Sequence, residues 1–211
     1  MADTSDRDPA APPSIAEAIG GPLGVAETSL PAMAFVVAYT ASGSDTNTAA
    51  TVAVGLALVL SVARLVRRES PRHAVSGLVG VAFAAFIATR SGRAEDFFLP
   101  GLLANAAYAS AFLISLAVRR PLVGIIVTAL DGEEDGWRED PRRMRAFERA
   151  TWLWAGLFLM RLVVMLPLYL AGAVVALGIA KTALGLPVFG LGLWLSWLLV
   201  RRSRVPAPAT T

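Results

Sequence analysis

Few side chains in this chain could do chemistry, and those few lie where charge is costly. The apolar stretch 148–170, ERATWLWAGLFLMRLVVMLPLYL, carries Arg161 about a dozen residues in from its charged end. A stretch of that length crosses a bilayer as a helix. A guanidinium at that depth costs about 3 kcal/mol or more unless it is paired. The natural counterpart is Glu27, inside the first apolar segment and about two turns from the same face. Arg161 lies three to four turns in, so the depths differ by roughly 10 Å at ~1.5 Å per residue. A long guanidinium covers much of that gap. Such a pair either fixes helix packing or lines a polar cavity for a solute or proton. Asn105 and Tyr108, inside the fourth apolar segment, either bond between helices or line the same cavity. Lys181, near the start of the last segment, is expected to snorkel to the outer interface.

Catalytic and metal motifs fail on inspection. The absence of cysteine removes disulfides, thiolate chemistry and Cys-based metal sites. His73 is the one histidine, and beside Arg72 it reads as an interfacial residue. There is no GxSxG and no HExxH. The acidic string DGEEDGWRED lacks the alternation of a calcium loop. It also lacks the spaced aspartates of membrane alcohol-phosphotransferases and prenyltransferases. It reads as a solvated loop. The expectation is a protein that is not an enzyme, with no cofactor and no metal.

The elements that must position these residues are helices. Hydrophobic residues make up 55% of the 211, the mean hydropathy is +0.60, and the apolar residues come in runs. An all-α polytopic integral membrane protein of six transmembrane helices is predicted. The spans are placed at about 22–41, 48–66, 73–89, 97–118, 148–169 and 179–200, within one membrane domain over 20–204. The polar tails 1–19 and 205–211 read as disordered, and 119–147 as a cytoplasmic loop with short helices. Pro31 is expected to break the first span. Ser76, Gly80, Ala84 and Ala88 form a small-residue stripe on the third, read as a packing face. The apolar run 121–130 is too short to span and reads as an interfacial or re-entrant helix. Asp140 before Pro141 reads as an N-cap and first helical position. Gly185 and Pro187 interrupt the last span.

Charge sets the orientation. Fifteen of the nineteen basic residues fall on one side of this topology, and two, Arg90 and Arg93, on the other. Arg161 and Lys181 lie within or at the edge of the membrane. By the positive-inside rule both termini are cytoplasmic in an inner membrane. The net charge of +3 is thus a matter of topology, and nucleic acid is not an expected partner. Trp152, Trp154 and Trp197 near the inner ends, with Tyr39 and Tyr169 near the outer, suit interfacial belts.

Each inward-running helix ends in Val-Arg-Arg, at 66–68, 118–120 and 200–202. This echo reads either as three helical hairpins in series or as positive-inside anchoring alone.

The stretches GGPLGVAETSLPAMAFVVAY, RRPLVGIIV, RAFERATWLWAGLFLMRLVVMLPLYLAG and AKTALGLP resemble the bacterial membrane family catalogued as domain of unknown function 3159. The resemblance runs from Gly20 to Arg202 and implies no activity, because the family has no established one. The order of elements is also similar to the intracellular septation protein A family. That likeness implies an inner-membrane role near envelope synthesis or division.

Two functions are carried forward. One is a scaffold or envelope-maintenance protein that acts through partners. The other is a small transporter or channel subunit built on Glu27 and Arg161. The expected partners are the lipid bilayer and either a second copy or another membrane protein.

Overall fold

A computed structural model describes residues 21–68, 71–131 and 135–203. The expected tails 1–19 and 205–211, and residues 132–134 of the acidic string, lie outside the described residues. The described chain is helical: α1 Gly21–Ala41, α2 Thr46–Val66, α3 Pro71–Ser91, a 3-10 turn Ala94–Phe98, α4 Leu99–Ala117, α5 Leu122–Asp131, a 3-10 turn Asp135–Arg138, α6 Pro141–Leu170, α7 Val174–Ala183 and α8 Leu186–Ser203. Among these residues, five stretches are long and apolar enough to cross a membrane: Thr46–Val66, Ala74–Ser91, Ala94–Ala117, Pro141–Leu170 and Val174–Arg201. Ser29–Ala41 is a shorter apolar helix. The protein is therefore an all-α polytopic membrane protein.

The termini of the helices follow local chemistry. Asp45 caps α2, its carboxylate accepting from the backbone N–H groups of Asn47 and Thr48 and from the Thr48 hydroxyl. The Thr48 hydroxyl and the Asn47 N–H hold the Asp45 carboxyl below its ordinary range. A depressed carboxyl stabilises the fold above its unfolded pKa, and the contribution is lost as pH falls through the folded value. Asp140 caps α6 with Pro141 at its first position, as read from the sequence. The α6–α7 turn closes on Gly172, which adopts φ +65°.

Three expectations need correction. First, α1 is not broken: it runs continuously from Gly21 to Ala41 with Pro31 inside it, and Pro31 is buried. Proline removes one backbone hydrogen bond, and with Pro31 on the packed face of α1 beside Ala32 and Phe35 the neighbouring turns still hold the axis together. Second, only half of the stripe on α3 packs. Ala84 and Ala88 are buried, joined by Ala74 and Ala85, while Ser76 and Gly80 are exposed. Third, Trp154 is no belt residue: it is buried, and its indole N–H donates to Ser196 Oγ at 2.9 Å, tying α6 to α8.

α6 is the axis of the fold. It packs against α4 and α8 and also touches α5 and α7, while α2 and α3 pack on each other with α1 alongside α2. α3 and α4 meet mainly through the 3-10 turn that joins them. The Val-Arg-Arg endings differ in geometry. Arg68 and Arg119 take positive φ after α2 and α4, one at each of the two arginine positions, whereas α8 runs on to Ser203.

Two apolar cores form at opposite ends of α6. At the arginine-poor end, Phe35, Phe97, Phe98, Met165 and Leu177 cluster, with Phe35 stacked on Phe97 at 4.0 Å. At the arginine-rich end, Phe112, Val123, Trp137, Phe147 and Trp154 cluster beneath α5. A Cβ at Gly124 would stand 2.9 Å from Trp137 Cη2. Glycine there lets the α5 backbone lie directly on the indole.

Candidate functional site

The site centres on the interruption between α7 and α8. Leu184 and Gly185 separate these helices within the apolar run Val174–Arg201. A Cβ at Gly185 would stand 2.8 Å from the Lys181 carbonyl oxygen, so the tight exit from α7 requires glycine. The last carbonyls of a helix have no partner within it and carry the negative end of its dipole. In lipid, water does not supply the missing donors.

Arg161 supplies one at Leu184 and adds a second at Gly185, whose carbonyl also accepts from the Phe189 N–H at the start of α8. From α6, its Nε donates to the Leu184 carbonyl oxygen at 2.8 Å and its Nη2 to that of Gly185 at 3.0 Å. The planar guanidinium fork suits two adjacent carbonyls. The guanidinium carbon also lies 6.0 Å from the Phe158 ring centroid. The charge in the middle of α6 thus holds a helix break closed against α6.

Asn105, Tyr108 and Lys181, also singled out in the sequence, have contacts of their own. Asn105 donates to the Gly101 carbonyl of its own helix at 2.7 Å. Tyr108 is 55% exposed, and its ring lies 5.3 Å from that of Phe158. Phe158 thus stands next to both Tyr108 and Arg161. Lys181 places its ammonium 5.9 and 5.6 Å from the ring centroids of Phe97 and Phe98. That is a cation–π setting. Glu27 lies on α1, and its side chain is outside the described residues, as is that of His73.

A second polar contact joins the two sides of the arginine-poor end. Asp96 is buried, and its Oδ1 accepts from the Tyr169 hydroxyl at 2.5 Å. Arg93 donates to Glu95 Oε1 at 2.8 Å, and its guanidinium lies 5.8 Å from the Tyr169 ring. The bond to Glu95, with Asp96 nearby, holds the Arg93 guanidinium above its ordinary range. This contact latches the 3-10 turn after α3 to the last turn of α6. In the sequence, Glu95 and Asp96 look like part of a mixed-charge loop and Tyr169 like a belt residue. Nothing in their spacing joins residues 73 positions apart. Removing the Tyr169 hydroxyl (Tyr169→Phe) is expected to cost about 1.5–3 kcal/mol, the range for a hydrogen bond to a charged group. Thermal unfolding of the purified protein in detergent micelles measures this. A midpoint unchanged from wild type would mean that the latch carries no stability.

Among the described residues no three His, Cys, Asp or Glu side chains cluster as a metal site would require. What the arrangement does chemically is satisfy backbone and charge inside an apolar solvent.

The chain belongs to the family described as "Protein of unknown function (DUF3159)", whose model matches residues 19–207. No curated protein and no solved structure matches it.

Proposed function

For this member of that family we propose a non-enzymatic scaffold of the bacterial inner membrane, with both termini cytoplasmic, that serves envelope maintenance through membrane-protein partners. The observation that carries the reading is the pair of hydrogen bonds that Arg161 donates to the Leu184 and Gly185 carbonyls. A charge committed to two backbone acceptors is used in packing. The latch between Asp96 and Tyr169 supports the same reading, since it too joins helices. The arginine distribution supports the orientation.

One observation favours a transporter instead. The interruption of the run Val174–Arg201 at an intramembrane arginine is the kind of discontinuous helix found at transporter sites.

One experiment separates the two. The chromosomal gene is replaced by Arg161→Leu and Arg161→Lys versions, and growth and envelope integrity are compared with the amount of folded protein in the membrane. For a scaffold, the defect follows the loss of folded protein. Arg161→Lys that is present at the wild-type level yet fails, together with wild-type proteoliposomes that dissipate an imposed ion gradient, would overturn the scaffold in favour of transport.

A further inference from the structure

One face of α6 is exposed from end to end. It runs through Arg142, Arg145, Arg149 and Trp152 at steps of three and four, and on through Gly156, Leu159, Val163, Leu166 and Leu170 at the same steps, every one of them exposed. The opposite face, with Phe147, Thr151 and Trp154, is buried against the bundle. Above Trp152 the exposed face is apolar and faces acyl chains. Below Trp152 the same face carries three arginines. Residues in one register on one helix point the same way, so these arginines face outward along the bilayer surface, toward headgroups.

The surroundings fit. Arg142 to Arg149 spans about 10 Å along the axis, which covers a headgroup layer of roughly 5–8 Å. Trp152, 59% exposed, stands where an interfacial anchor belongs. α5 lies beside α6 and is too short to span. It buries Val123, Gly124 and Thr128 inward and exposes Ile125 and Ile126. Such a helix lies in the interface with its apolar edge among acyl chains. Arg119 and Arg120, both exposed, precede it. Among the described residues three carboxylates lie close to the stripe: the exposed Glu139, Asp140, which accepts from the Arg142 N–H as the cap of α6, and the half-buried Glu148, one position off the face.

We propose that the α6 face formed by Arg142, Arg145, Arg149 and Trp152 is a binding site for the phosphate headgroups of anionic phospholipids. The guanidinium groups pair with phosphate, the indole sets the depth, and α5 holds the acyl chains alongside. The proposal depends on neither the scaffold reading nor the orientation.

The test uses the full-length protein in mixed micelles of detergent with either phosphatidylglycerol or phosphatidylcholine. Bound lipid is counted by native mass spectrometry. Wild type is expected to retain phosphatidylglycerol selectively. Each Arg→Gln change is expected to lower its affinity about fivefold, as for one basic residue at an anionic surface. The triple variant Arg142→Gln, Arg145→Gln, Arg149→Gln should lose the selectivity. The variant Arg67→Gln, Arg68→Gln, Arg72→Gln, with the same change in charge at the ends of α2 and α3, should keep it. Should the triple Gln variant not fold, the three single variants decide by their graded losses. Equal losses in both triple variants would reduce the effect to net charge and overturn the site. Undiminished retention in the α6 variants would overturn it too. Displacement of the lipid by inorganic phosphate alone would make this a soluble-anion site instead.

Discussion

Arg161→Leu lowers the stability of the folded protein by about 2–3 kcal/mol. The substitution removes two charge-assisted hydrogen bonds, each in the range of about 1.5–3 kcal/mol. It leaves the Leu184 carbonyl without this donor in a medium that offers no water, while the Gly185 carbonyl keeps the Phe189 N–H. Leucine gains something back, because it no longer needs to place a guanidinium among apolar groups. The lost bonds win, since Arg161 is only partly buried and the carbonyls stay where the α7–α8 break puts them. Arg161→Lys keeps the charge but cannot span both acceptors with a planar fork, so its loss is expected to fall between those of wild type and leucine. Denaturant titration in micelles, followed by circular dichroism, measures both. Combining Arg161→Leu with Glu27→Gln is expected to give additive losses within about 0.5 kcal/mol, because the bonds of Arg161 go to carbonyls. A coupling well above that would restore Glu27 as its partner and place the carbonyl contacts second.

Gly178→Ala is expected to cost about 1–3 kcal/mol, the range for overpacking a tight contact. A Cβ at Gly178 would stand 2.4 Å from Val36 Cγ2 and 3.4 Å from Val36 Cβ. Valine is stiff at χ1, so it does not simply turn away, and α7 must separate from α1. Gly178 is itself buried, and its neighbour Leu177 is fully buried in the core with Phe35. The displaced helix also carries Lys181 beside Phe97 and Phe98 and leads into the break that Arg161 holds. The check is a double-mutant cycle with Val36→Ala, read by thermal unfolding. Val36→Ala should recover most of the loss in the Gly178→Ala background. Absence of recovery would mean that the close approach of α1 and α7 is not what limits this position.

Much of this fold is legible in the chain because bilayer insertion depends on one-dimensional quantities. The length and polarity of the runs announce helices apolar enough to cross, five of them among the described residues with Ser29–Ala41 shorter. Asp140 with Pro141 announces the start of α6, and Gly185 with Pro187 announces the interruption before α8. The apolar run 121–130, too short to cross, becomes α5. The family resemblance read from GGPLGVAETSLPAMAFVVAY and the later segments holds over residues 19–207. All of these are properties of neighbouring residues, which the sequence displays directly.

The partners across space had to wait for the tertiary structure. Arg161 calls for a counter-charge when only side chains are considered, yet among the described residues its acceptors are backbone carbonyls, which no residue letter records. They become available only because α7 ends opposite Arg161. Asp96 and Tyr169 meet because the 3-10 turn after α3 packs against α6. Pro31 looks like a break, and packing keeps α1 whole. Ser76 and Gly80 share a stripe with Ala84 and Ala88, but α3 lies at the rim of the bundle and only part of that stripe faces a neighbour. Hydrophobic length determined that this chain is a polytopic membrane protein; the contacts between helices decided what each intramembrane charge does there, because pairing energy depends on distances that sequence order does not contain.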